Sequence, residues 1–177
     1  MTHQPPGRLD DVTATPTTDA GMDAWRAYAA AHERLVRHLA REITRETGLS
    51  DADYAVLDAL VDVPGGRLRS RELRLALEWE KSRLSHQIRR MEQRGLLARE
   101  TCEADGRSAD VVITPEGRTT SARARAVREA SLRSLVLETL GADRVEGLAQ
   151  TASLLGARLA RAAEEDPHCR AALAAED

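Results

Sequence analysis

Apolar positions fall into two periodicities along the chain, and the switches between them predict its elements. From Met22 to about Thr47, the residues Trp25, Tyr28, His32, Leu35, Leu39 and Ile43 recur at steps of three and four, which predicts one long amphipathic helix ended by Gly48. Ser50 to Asp53, "SDAD", reads as a capping box opening a second helix that carries Tyr54, Leu57, Leu60 and Val61 up to the stop at Pro64, Gly65 and Gly66. Arg67 to Arg69 suits a very short strand, and Ser70 then reads as the N-cap of a third helix bearing Leu73 and Leu77. After a break at Glu78 to Glu80 comes a fourth helix, "EKSRLSHQIRRMEQRGLL", closed at Gly95. "LLARET" and "ADVVIT" then flank "CEADGRS", whose Asp105–Gly106 pair is a hairpin signal.

Thr114 and Pro115 supply an N-cap and a first-turn proline for a further helix reaching about Leu140, where Gly141 stops it. Asp143 caps a last helix on which Val145, Leu148, Ala152, Leu155, Leu159 and Ala162 form a narrow apolar seam. The predicted fold class is mainly α with a small β-hairpin wing: a winged helix-turn-helix at residues 49–117, flanked by long helices at 22–48 and 118–165. Residues 1–21, rich in Pro, Thr, Asp and Gly, read as a disordered arm, and 166–177 as a tail. The seam suits packing against another helix of the same chain or of a second copy. Because the flanking helices lie outside a module that can fold without them, a dimer is expected.

Composition sharpens this picture. Aromatic residues make up only 2% of the chain and Phe is absent, so the core is built from Leu, Val, Ile and Ala, which favours helices. No apolar run approaches the roughly 20 residues of a membrane span, and the N-terminus lacks the apolar centre of a signal peptide. A cytoplasmic protein without membrane association is expected. Cys102 and Cys169 are far apart and outside any CxxC pattern, so no structural zinc site is expected. The sequence shows no GxSxG, HExxH, P-loop or glycine-rich dinucleotide motif, and the five His are scattered. An enzyme, a metal centre or a bound cofactor is therefore not expected.

Charge is where the pattern turns functional. The net charge is −3, yet residues 67–107 carry 11 Lys and Arg against 7 Asp and Glu, while the rest of the chain carries 15 against 22. Such asymmetry suits one basic face turned to a polyanion. At 100° per residue, Leu84, Ile88 and Met91 lie within about 60° of one another, and Ser82, His86, Arg89 and Gln93 lie opposite, flanked by Arg83 and Arg90. A helix of this width fits the major groove, where Arg reads guanine and Ser or His bonds base edges or phosphates. The candidate DNA contacts on it are Lys81, Ser82, Arg83, Ser85, His86, Arg89 and Arg90; Gln93 lies near the far end. A solvated polar face is the other reading of the same pattern. Arg69, Arg71 and Arg99 suit phosphate clamps or solvated charges equally. Arg107 at the tip of the wing is a candidate for the minor groove, whose negative potential attracts a loop arginine. Trp79 in the turn before the fourth helix suits a buried wedge fixing the angle between two helices.

These features, in this order, resemble the MarR (multiple antibiotic resistance regulator) family. The progression from "SRELRLAL" to "EKSRLSHQIRRMEQRGLL", the wing "EADGRS", and "VVITPEG" in place of that family's strand followed by Leu-Thr-x-x-Gly carry the resemblance over roughly residues 22–163. Ser108 departs from it, since many members have a second wing arginine there. The resemblance implies a homodimeric regulator, a repressor, that binds double-stranded DNA at a pseudo-palindromic operator and is released by a small effector. It implies that Arg107 is the wing arginine, oriented by Asp105. It also implies that an anionic or aromatic effector sits where the helical region meets the winged module, lined by Trp25, Tyr28, His32 and Tyr54, with Arg26 or Arg34 as anion partner. These aromatic residues suit plain packing of that junction as well. Two other functions fit the sequence: a winged-helix protein-interaction module, and a thiol-based redox regulator acting through Cys102. Against the second, the family's peroxide-sensing cysteine lies in the first helix, where this chain has none.

Overall fold

The computed structural model describes residues 18–101 and 109–165. The first long helix, α1 (Thr18–Thr47), starts four residues before the apolar period does. Asp19 and Ala20 in its first turn are exposed and Met22 is still 46% exposed, so the apolar period gives no mark of the start, and Asp19 complements the positive end of the helix. Only its C-terminal half reaches the core, through Leu39 and Ile43. Gly48 ends it at φ 70°, a left-handed conformation that glycine adopts without strain.

The expected capping box opens α2 (Asp51–Val61): Ser50 Oγ accepts from the Asp53 N–H at 3.2 Å, and the Ser50 N–H donates to Asp53 Oδ2 at 2.8 Å. After the turn at Pro64–Gly66, strand β1 (Arg67–Arg69) leads directly into α3 (Ser70–Leu77). Ser70 is not the cap of that helix. The N-cap position falls one residue earlier, where the Arg69 N–H donates to Glu72 Oε2 at 3.0 Å. Glu78, at φ 52°, makes the tight turn into α4 (Lys81–Gln93). Strands β2 (Leu97–Thr101) and β3 (Ala109–Ile113) pair antiparallel with Leu97 opposite Ile113, and β1 adds to the far side of β3. The sheet is the root of the wing, and the fold is the expected winged helix-turn-helix.

Thr114 Oγ1 accepts from the Gly117 N–H at 2.9 Å and opens α5 (Pro115–Leu132). A wide π turn at Arg133–Leu137 joins it to α6 (Glu138–Glu165), which breaks at Gly141 (φ 72°, ψ 169°), the predicted stop. No α6 residue of described burial is buried, and Leu148, Leu154, Leu155 and Leu159 are exposed. The apolar seam is thus not core of its own chain. No described helix is long and apolar enough to cross a membrane.

The core lies inside the winged module, where Leu49, Val56, Leu57, Leu60, Leu73, Ile88, Met91 and Val111 are almost wholly buried, and α5 packs across both α1 and α2. Gly117 shows how tightly the module closes. A Cβ there would overlap the Leu96 carbonyl oxygen and come within 2.9 Å of Ile113 Cγ1. Because the first obstacle is backbone, Gly117→Ala is expected to cost about 3 kcal/mol in urea unfolding, at the upper end for overpacking. A loss under about 1 kcal/mol would mean that the start of α5 is not fixed against the wing root.

Candidate nucleic-acid interface

The second helix of the helix-turn-helix, α4, is held from beneath by a polar contact as well as an apolar stripe. Leu84, Ile88 and Met91 are buried as the periodicity predicts, and Gln87 is buried with them. Its Nε2 donates to Asp53 Oδ1 at 2.6 Å. Asp53, 1% exposed, also accepts from Arg94 Nη1 at 2.6 Å, so one carboxylate joins the start of α2 to the middle and the C-terminal end of α4. Burial pushes the Asp53 carboxyl up, but hydrogen bonds from Ser50 and Arg94 outweigh it and hold it below the usual carboxylate value. Arg94 Nη2 further donates to the Gly48 carbonyl at 3.0 Å.

The opposite face of α4 is exposed at Lys81, Ser82, Arg83, Ser85, His86, Arg89 and Arg90. Between α4, α3 and β2 lies a cleft of about 720 Å³ lined by Arg69, Ser70, Arg71, Arg74, Lys81, Leu84, Ser85, Ile88, Arg89 and Arg99. Six of these are cations and none is a carboxylate. The cleft brings together Arg69, Arg71, Lys81, Ser85 and Arg89 from the sequence-based candidates, along with Arg99. It adds Arg74, which sequence reading missed although it follows Arg71 by one helical turn on the same face of α3. Arg99 Nε also lies 3.5 Å from Glu92 Oε2.

The remaining candidates lie elsewhere. Arg83 stacks over Trp79, its guanidinium carbon 4.1 Å from the ring centroid. Trp79 is half-buried against the core rather than fully buried, and its ring carries a cation at the start of α4. Ser82 and His86 lie on the open face outside the cleft, and Arg90 lines a second cleft with Arg41, Arg45 and Arg94. Cys102, Asp105, Arg107, Ser108 and Cys169 lie outside the described residues.

The aromatic candidates separate into two places. Trp25, Tyr28 and His32 form a strip on α1, with ring centroids 5.7 Å and 6.1 Å apart, and Trp25 and Tyr28 are about half exposed. Arg26 is paired with Asp23 at 2.7 Å. Tyr54 instead lines a cleft of about 200 Å³ with Asp58, Arg125, Arg128 and Glu129, which includes none of the α1 strip. There burial, reinforced by Asp58, pushes its hydroxyl pKa up. Arg125 closes this cleft by binding Asp62 through both terminal nitrogens, at 3.0 and 2.7 Å, and Asp58 through Nε at 2.9 Å.

The same fold occurs in proteins of known structure. The chain is 32% identical to AbsC, a MarR family transcriptional regulator from Streptomyces coelicolor, over 81% of its own length and 96% of that protein's, with a TM-score of 0.71. The chain belongs to the MarR family. The model of that family matches residues 47–108, from the start of the winged module into the wing. Sco3205, a MarR family transcriptional regulator from the same organism whose structure is a complex with DNA, is 29% identical over 79% of this chain and 87% of its own, with a TM-score of 0.68. At 18% identity and a TM-score of 0.57, covering 85% of this chain and 96% of that one, NadR in complex with 4-hydroxyphenylacetate shares the fold. Among curated proteins no sequence matches. As a member of the MarR family, the chain is a transcriptional regulator built on a winged helix.

Proposed function

We propose that this MarR-family regulator acts as a homodimeric repressor that places α4 of each copy in successive major grooves of a pseudo-palindromic operator. The observation that carries the reading is the cleft along α4, whose described lining holds six cations and no carboxylate. Arg89 and Ser85 face base edges; Lys81, Arg69, Arg71, Arg74 and Arg99 clamp phosphates; Ser82, Arg83, His86 and Arg90 complete the reading helix. Arg107, outside the described residues, is the minor-groove contact that the family resemblance implies. A protein-interaction module would present apolar residues on this face, whereas every exposed position of α4 is polar or charged.

The dimer rests on the uncovered seam of α6 and the exposed Met22, Trp25, Tyr28 and Val36 of α1. A second copy is the partner that covers both, since a symmetric pair uses the same patch twice. A small aromatic carboxylate is the effector class that suits the Trp25, Tyr28 and His32 strip. To release DNA it must bind the DNA-incompetent arrangement more tightly, and about 1.4 kcal/mol of preference gives tenfold derepression.

Footprinting on the duplex upstream of the protein's own gene tests the reading. Two protected half-sites are expected, centred about 34 to 36 Å apart, one helical turn. A single unpaired half-site as the complete target would contradict the symmetric arrangement.

A further inference from the structure

We propose that α1 itself touches the operator: Arg41, acting with Arg90, receives a DNA backbone phosphate on the second flank of the recognition helix. The inference rests on the DNA-binding reading above and extends it to a helix to which that reading gives no DNA contact.

A helix is about 10 to 12 Å across with its side chains and the major groove about 12 Å wide, so a seated helix has a phosphate backbone on each side. On α4, Lys81 lies on one flank, which opens into the six-cation cleft. Arg90 follows Arg89 by about 100° and Lys81 by about 180°, on the other flank. There it lines a separate cleft, of about 530 Å³, between the end of α1, the start of α2 and the second half of α4.

Four arginines line this second cleft, and two of them are already committed. Arg45 binds Glu42 at 2.6 Å and Glu46 at 3.0 Å, and Arg94 holds Asp53 and the Gly48 carbonyl. Arg41 and Arg90 are both exposed, and among the described residues neither meets a carboxylate within ion-pair reach. Two unneutralised guanidinium groups converging on one cleft beside the reading helix form a ready partner for a doubly hydrogen-bonded phosphate oxygen pair. The only carboxylates on the cleft wall are Asp51 and Asp53, and Asp53 lies buried beneath Arg94. The cleft therefore keeps a positive balance toward solvent. Arg83 strengthens the same flank near the start of α4, where Trp79 holds it.

Phosphate contacts are sequence-independent and release counterions, which makes them separable from base reading. The test measures binding against salt concentration for the promoter duplex and for a generic-sequence duplex of equal length. Wild type, R41A, R41K and R90A are compared, with R37A, one turn earlier on α1 and paired with Glu33, as a neutral control and K81A as a control on the first flank. R41A is expected to bind both duplexes severalfold more weakly and to lower the slope of log affinity against log salt by about 0.9, the share of one phosphate. R41K should restore the slope, R37A should match wild type, and size exclusion should show an unchanged assembly for all. If R41A keeps the wild-type slope while K81A loses part of it, α1 stays clear of the DNA and the proposal is overturned. A loss confined to the promoter duplex would also overturn it, because a phosphate contact cannot distinguish sequences. Absence of salt-dependent binding by wild type to either duplex would instead overturn the DNA-binding reading, and this inference with it.

Discussion

Asp53→Ala is expected to lower the unfolding free energy by about 3 kcal/mol, measured in urea at neutral pH. Three groups lose their acceptor together. The Ser50 N–H loses half of the capping box, the buried Gln87 amide loses its one hydrogen-bond partner among the described residues, and Arg94 loses its ion pair. A lost cap costs about 0.5 to 2 kcal/mol and a buried unsatisfied donor about 1 to 3, which together outweigh the relief of burying one carboxylate fewer. Asp53→Asn keeps an oxygen for Gln87 and should lose roughly half as much. The sign of the pH dependence follows from the depressed carboxyl. Its stabilisation is complete above the unfolded aspartate value, about 3.9, and is lost as pH falls through the lower folded value. The gap between wild type and Asp53→Ala should thus stay constant from neutral pH down to about 5 and close only below about 4. A gap that closes near neutral pH would contradict the assigned network.

Arg89→Ala should weaken binding to the specific site by about 1 to 3 kcal/mol, roughly five- to 150-fold, while binding to generic DNA changes far less. Arg89 lies at the centre of the open face of α4, lines the basic cleft, and has no acidic partner among the described residues. It is therefore free to place both terminal nitrogens on a guanine edge. Lys81→Ala should behave differently, weakening both duplexes by a similar factor, since its ammonium meets phosphates. Anisotropy titrations of the two variants on both duplexes distinguish the roles. Equal weakening of specific and generic binding by Arg89→Ala would move it from the reading residues to the clamps.

Much of this architecture was legible because its boundaries are written in local chemistry. Gly48, Gly95 and Gly141 each take a positive φ at a predicted helix end, and Ser50 and Thr114 cap the helices they precede. The Ser70 cap failed by one residue because Glu72, three residues beyond Arg69, accepts from the Arg69 N–H and so sets the helix start one residue before the hydroxyl. Gln87 was not legible as buried, because its partner Asp53 is 34 residues away and periodicity carries no pairing information. Tyr54 shares an aromatic composition with Trp25 and Tyr28, but its place beside Arg125 and Arg128 depends on how α5 crosses α2. The cleft of Arg69, Arg71, Arg74 and Arg99 likewise gathers three elements whose charges looked ordinary one at a time. The apolar seam of α6 was visible, but whether the chain covers it could be read only from the fold.

The most direct test of the central claim is a retardation assay with wild-type protein and the labelled duplex upstream of its own gene, at near-physiological salt, against a large excess of unlabelled generic DNA. The account predicts a retarded complex that survives the generic competitor and disappears when Arg69, Arg71 and Arg89 are replaced together by Ala. A triple variant that remains folded and binds the duplex as wild type does would place the DNA-reading surface elsewhere and contradict the account.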